Sequence, residues 1–127
     1  MAFAIHLLCR RDAQGGFRNL SFDKETALYK CDHWDFTRDE AERLKGGWVY
    51  LHPTKGVASE FGGEILGYEA VTVPTVAREE RIDFVVRPRA EGREQRWRGM
   101  EHHRAWTGGL VTADLPHERE RADAQGA

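Results

Sequence analysis

FTRDEAERLKGGWVYLHPTKGVASEFGGEILGYEAVTV, residues Phe36–Val73, is the stretch whose reading decides the fold. Thr37 followed by Glu40 has the spacing of a capping box, in which hydroxyl and carboxylate each accept from a backbone N–H at a helix start, so a short helix is predicted over residues 38–45. Gly46 and Gly47 supply the permissive backbone that ends it. Residues 48–51 and 64–73 are rich in aromatic and β-branched side chains, which suit a pleated, half-buried surface. They are read as two strands joined by a Gly-bearing loop, residues 52–63. That loop carries His52, Thr54, Lys55, Ser59 and Glu60 and is the expected place of a site.

On the N-terminal side, Phe3 to Cys9 is apolar on both parities apart from His6, the pattern of a strand buried on both faces. His6 is expected to be a hydrogen-bonded core histidine, because buried polar groups find partners locally. Gly15-Gly16 marks a turn or loop, and Phe17, Leu20 and Phe22 offer a short second strand or an extended crossing. Residues 25–34 alternate Ala27, Tyr29, Cys31 and His33 against Leu28, Lys30, Asp32 and Trp34, which favours a third strand, while Lys24, Glu25, Ala27 and Leu28 also tolerate a helical start at Ser21 or Asp23. On the C-terminal side, Pro74 cannot donate to a ladder and closes the strand before it. Ile82, Phe84 and Val86 then alternate with Arg81, Asp83, Val85 and Arg87 up to Pro88. A turn at Glu91-Gly92 and a returning strand over residues 93–98 are predicted, with Trp97 opposite Phe84. Beyond Pro116 the tail has no apolar residue larger than Ala, so residues 116–127 are expected to be disordered.

Five to seven short strands with one main helix near residues 38–45 give a mainly β (α+β) single domain over residues 1–115. The expected form is a small closed or nearly closed β-barrel plugged by the helix, since closure removes exposed strand edges. A chain of 127 residues suffices for one core. Its formal charge of -2 argues against a globally basic nucleic-acid binder, yet 15 of the 19 basic residues are Arg and eight of those lie between Arg78 and Arg104. Arg presents a planar fork to phosphate or carboxylate, so a local basic face fits the sequence. Cys9 and Cys31 are too few for a disulfide framework and are read as reduced and buried. The apolar run at the N-terminus is too short to span a bilayer and precedes its arginines, so a cytoplasmic, non-membrane protein is expected, taken to be a monomer. No CxxC, HxxxH or HExxH spacing occurs, and the adjacent His102 and His103 would point to opposite faces of an extended chain. Neither a metal nor a cofactor is expected.

The order helix, Gly-Gly turn, WVYLH strand, polar loop and GGEILGYEAV strand resembles the core of the PUA-like superfamily, which includes PUA, ASCH and EVE domains. The resemblance covers about the middle third of the chain and does not include the GxKxxExR signature of ASCH domains. It implies a barrel wall and a cleft beside the helix that receives a nucleotide or a modified base. Four tryptophans, Trp34, Trp48, Trp97 and Trp106, together with Tyr50 and Tyr68, exceed the needs of a small core, and aromatic faces stack on unpaired bases. Trp48, Tyr50 and Trp106 are therefore expected to hold a base, Lys55, Arg96 and Arg98 to contact phosphate, and His52 and Ser59 to line the same cleft. The expected partner is nucleic acid or a nucleotide. One alternative is a small amidohydrolase acting on a modified nucleoside, with Thr54 as nucleophile, Lys55 as base and Glu64 as partner, similar to the Thr, Lys and Glu set of ASCH-type enzymes. Another is a protein-interaction module or homodimer, where aromatics and Arg are also enriched.

Overall fold

The computed structural model describes residues 2–72, 80–99 and 106–119. Among these residues seven strands are present, β1 (Phe3–Leu8), β2 (Leu20–Asp23), β3 (Leu28–Trp34), β4 (Trp48–His52), β5 (Phe61–Thr72), β6 (Glu80–Pro88) and β7 (Val111–Thr112), with a helix α1 (Arg38–Leu44) between β3 and β4. They form one mixed sheet in the order β2-β3-β6-β5-β4-β1-β7, in which only β1 and β4 run parallel. The chain is mainly β with one main helix, as its turn spacing and alternation predict. Among the described residues β2 and β7 end the ladder without pairing with each other. The sheet nevertheless curls enough for side chains to meet across it: Trp34 at the end of β3 and Trp106 ahead of β7 have ring centroids 5.4 Å apart.

The helix forms where its capping box sits. Thr37 Oγ1 accepts from the Glu40 N–H at 3.1 Å, and the Glu40 carboxylate accepts from the Thr37 N–H at 3.0 Å. Ala41 and Leu44 are its buried face. Gly46 ends it at φ 84, and a Cβ on Gly47 would lie 1.8 Å from the Phe3 carbonyl oxygen, so only glycine lets β1 pass this close.

Strands β1 and β4 are buried on both faces. One face, Ile5, Leu7, Val49 and Leu51, enters an aliphatic core with Leu44, Ile65, Ile82, Phe84 and Val86. Each such side chain stabilises the fold by about 1.5–3 kcal/mol. The opposite face carries Ala4, His6, Trp48, Tyr50 and His52, with Ala4 opposite Trp48 and His6 opposite Tyr50. A second layer covers this face, and two sequence expectations fail there. Residues 93–98 are not a returning strand. After β6 the chain makes a 3-10 turn at Ala90–Gly92, and Gly92 packs so tightly on Gly62 of β5 that a Cβ there would sit 2.2 Å from a backbone carbon. This contact directs the following segment across the sheet instead of along β6. Trp97 accordingly lies over His52 and His6, with centroids 5.1 and 5.9 Å away, while Phe84 packs on Phe36. The tail is also ordered further than predicted. Residues 116–119 form a helical turn and Glu118 is buried, because its carboxylate meets polar partners that the local sequence does not reveal. The predicted disorder of residues 120–127 and the His102-His103 loop lie outside the described residues. Among the described residues no helix is long and apolar enough to cross a membrane.

Candidate functional site

Beneath the second layer lies a buried polar network. His52 Nδ1 lies 2.8 Å from the Val57 carbonyl oxygen, an acceptor only, so this nitrogen carries the proton. His52 Nε2 is then bare and accepts from His6 Nδ1–H at 2.7 Å. His6 Nε2 in turn accepts from Arg98 Nε–H at 3.1 Å. The chain of donors fixes both tautomers and leaves both rings neutral. Burial first, then the Arg98 guanidinium and His52, hold the His6 pKa down to about 2. Burial likewise lowers His52.

The same arginine forks onto Glu118, Nη1 to Oε1 at 3.1 Å and Nη2 to Oε2 at 2.5 Å. Tyr50 donates its hydroxyl to Glu118 Oε2 at 2.5 Å, so its oxygen accepts from His117 Nε2–H at 2.7 Å. Burial above all, reinforced by Glu118, pushes the Tyr50 phenol up. The Tyr50 ring is stacked on His6 at 4.6 Å and 20°. These groups tie β1, β4, the 96–98 segment and the C-terminal turn together. His6, His52 and Tyr50 are closed to solvent at 0% exposure and Glu118 at 1%.

Four of the residues expected to bind a ligand are thereby withdrawn from the surface. Trp48, Tyr50 and His52 are successive inward positions of β4 under the second layer. Ser59 is buried as well, donating to the Gly92 carbonyl at 2.7 Å and accepting from the Gln95 N–H at 3.0 Å. Arg98 turns inward to Glu118. Lys55 and Arg96 stay at the surface, lining a cleft of about 480 Å³ in which Lys55 Nζ stands 5.5 Å from the centre of the Trp97 ring. Thr54 is exposed on its loop, whereas Glu64 is buried and ion-paired with Arg89 and Arg87. Among the described residues no group of three or more His, Cys, Asp or Glu is placed to hold a metal ion.

Trp106 lines a different and larger cleft, of about 530 Å³, between the end of β1, the β1–β2 loop and the end of β3. Trp34 and Trp106 form an aromatic wall, and Phe36 props Trp106 from behind, edge to face at 5.0 Å. Among the described residues Arg10, Arg18 and Arg81 supply three guanidinium groups around it, against a single carboxylate, Asp35. Arg10 and Arg18 are exposed, and their side chains have no hydrogen-bond or ion-pair partner among the described residues. Arg81 is mostly covered and stands 3.7 Å from Asp35. Sequence reasoning placed Trp34 among the surplus aromatics but missed Arg10, Arg18, Arg81 and Asp35. Their neighbourhood is created by the curl of the sheet, which no local pattern encodes. No protein-family model, curated protein or solved structure matches this chain.

Proposed function

We propose that the chain binds an unpaired nucleotide, free or within single-stranded nucleic acid, in the cleft walled by Trp34 and Trp106. The observation that carries this reading is the juxtaposition, in the cleft of about 530 Å³, of two tryptophans with Arg10, Arg18 and Arg81. A base stacked on an accessible tryptophan face is worth about 1–3 kcal/mol whatever its identity. Exposed guanidinium groups beside it match phosphate oxygens. The chain as a whole carries a formal charge of -2, so attraction to phosphate is local to this cleft and weakens as salt screens it. The PUA-like resemblance points to the same ligand class, although the cleft differs from the one beside the 52–63 loop.

Titration with short mixed-sequence single-stranded DNA and RNA, followed by amide NMR, tests the proposal. Trp106→Ala should weaken binding with little change in salt dependence, whereas Arg18→Ala should weaken it and flatten the salt slope. Unchanged affinity in both variants would rule this cleft out. A second reading, self-association, has one observation in its favour. Phe22 is 52% exposed on β2, an edge strand with one paired side among the described residues. A mass that doubles with concentration in the wild type but not in Phe22→Ser would support it.

A further inference from the structure

We infer that the Trp34–Trp106 cleft takes a nucleotide whose phosphate is a terminal monoester, held by Arg10 and Arg18 together, in preference to an internal phosphodiester. The inference rests on the nucleotide reading of that cleft and adds the class of phosphate. Within the β1–β2 loop Arg11 and Phe17 pair across two antiparallel arms, and the Arg18 N–H donates to the Arg10 carbonyl at 3.0 Å. Arg10 and Arg18 therefore stand directly opposite each other, one step further from the turn. Side chains of such a pair share a face with Cβ atoms about 4.5–5.5 Å apart, and both of these line the cleft. Like charges so placed repel and weaken the pairing of the arms. Among the described residues no carboxylate meets either side chain, and both are exposed. The neighbouring arginine of the same loop is compensated, since Arg11 lies over the Phe17 ring at 5.0 Å and is ion-paired with Glu60. Arg81 and Asp35 are already engaged, with each other at 3.7 Å and elsewhere. The uncompensated pair is Arg10 and Arg18, and an anion between them would relieve their repulsion.

The valence of that anion follows from the donors. Each guanidinium presents a planar fork of N–H groups that takes two oxygens of one phosphate. A phosphodiester has two non-bridging oxygens and one negative charge, so it fills one fork and neutralises one arginine. A monoester has three such oxygens and, with a second pKa of about 6, carries nearly two negative charges at neutral pH. Two forks can share its three oxygens, and both arginines are neutralised. The ligand is thus a free mononucleotide or the phosphorylated end of a strand, with its base against the tryptophan wall.

The full-length chain is titrated with the 5′-monophosphates of adenosine, guanosine, cytidine and uridine and with the 3′,5′-cyclic monophosphate of each, following tryptophan fluorescence and amide NMR shifts. The cyclic compound keeps base, ribose and phosphorus but is a diester with one negative charge. A 5′-monophosphate should bind roughly tenfold more tightly than its cyclic counterpart, the effect of one added charge-assisted hydrogen bond. Arg10→Gln and Arg18→Gln should each close most of that gap. Short single strands with and without a 5′- or 3′-phosphate separate the two sources. Tighter binding of the phosphorylated strand points to a strand end, and binding of mononucleotides but of neither strand points to the free nucleotide. Equal binding of monoester and cyclic diester overturns the inference, as do strands that bind alike with and without a terminal phosphate. A monoester preference unchanged in both arginine variants overturns the assignment of Arg10 and Arg18. In each of these cases Trp106→Ala still weakens binding if the cleft itself is correct. Binding of none of the nucleotides or strands overturns both readings.

Discussion

Acidification from about pH 7.5 to about pH 5 should destabilise the folded chain by about 2 kcal/mol through His6 alone. In the folded state this ring is fully buried and neutral, between Arg98 and His52, with its pKa held down to about 2. In the unfolded chain it titrates near 6.5. Between these values the unfolded state binds a proton that the folded state does not. Stability is therefore complete above about pH 6.5 and is lost as the pH falls toward the folded pKa. The loss is about 1.4 kcal/mol per pH unit, so the 1.5 units from about 6.5 to about 5 amount to roughly 2 kcal/mol. His52, also lowered by burial, adds to the loss in the same direction. Urea unfolding followed by tryptophan fluorescence measures it. With a slope of about 1–3 kcal/mol per molar urea, the midpoint should fall by about 1 M. In His6→Gln an amide can still donate to His52 and accept from Arg98 but does not titrate, so its midpoint should move less over the same range. A wild-type midpoint that stays put, or one that moves equally in His6→Gln, would refute a neutral, proton-excluding His6.

Removing the buried carboxylate in Glu118→Ala leaves the Arg98 guanidinium and the Tyr50 hydroxyl without their acceptor, and should cost about 3–5 kcal/mol in urea unfolding, as breaking a buried ion pair does. Thr37→Ala removes the helix cap and should cost about 1 kcal/mol by the same assay. Gly92→Ala places a Cβ against the Gly62 backbone and should displace the 93–98 segment, seen as near-ultraviolet dichroism changes from Trp97. Cys9 and Cys31 are buried, and burial raises both thiols, so neither should react with a thiol reagent until the chain unfolds.

Elements whose cause is local were readable from residues alone. The Thr37–Glu40 pair marks its helix because both partners lie within one turn. The alternation of Ile82, Phe84 and Val86 marks β6 because every second side chain enters the same core. His6 was readable as a satisfied core residue because its neighbours are apolar on both parities. What was not readable depends on partners far along the chain. Residues 93–98 have strand-like content, but Gly92 against Gly62 sends them across the sheet. Trp48 and Tyr50 fit a base-binding wall as well as a core, and only the segment laid over them decides between the two. Glu118 sits in a stretch that looks solvated, and its burial depends on Arg98 and Tyr50, respectively 20 and 68 positions away. The candidate cleft was legible only as a surplus of tryptophan and arginine.

The position of β1 has a consequence for how the chain is made. Of the seven strands it comes earliest in the sequence, yet it lies between β4 and β7, and the Ala113 N–H donates to the Ala2 carbonyl at 3.1 Å. A nascent chain can assemble β2, β3, α1 and the β4–β5–β6 meander as they emerge, but one side of β1 stays unpaired until residues 107–118 have left the ribosome. Fragments ending before residue 107 would leave β1 as an open, mostly apolar edge, the kind of edge that recruits other chains. Residues 107–113 therefore act as a clasp, and β1 is covered on that side only once they have docked.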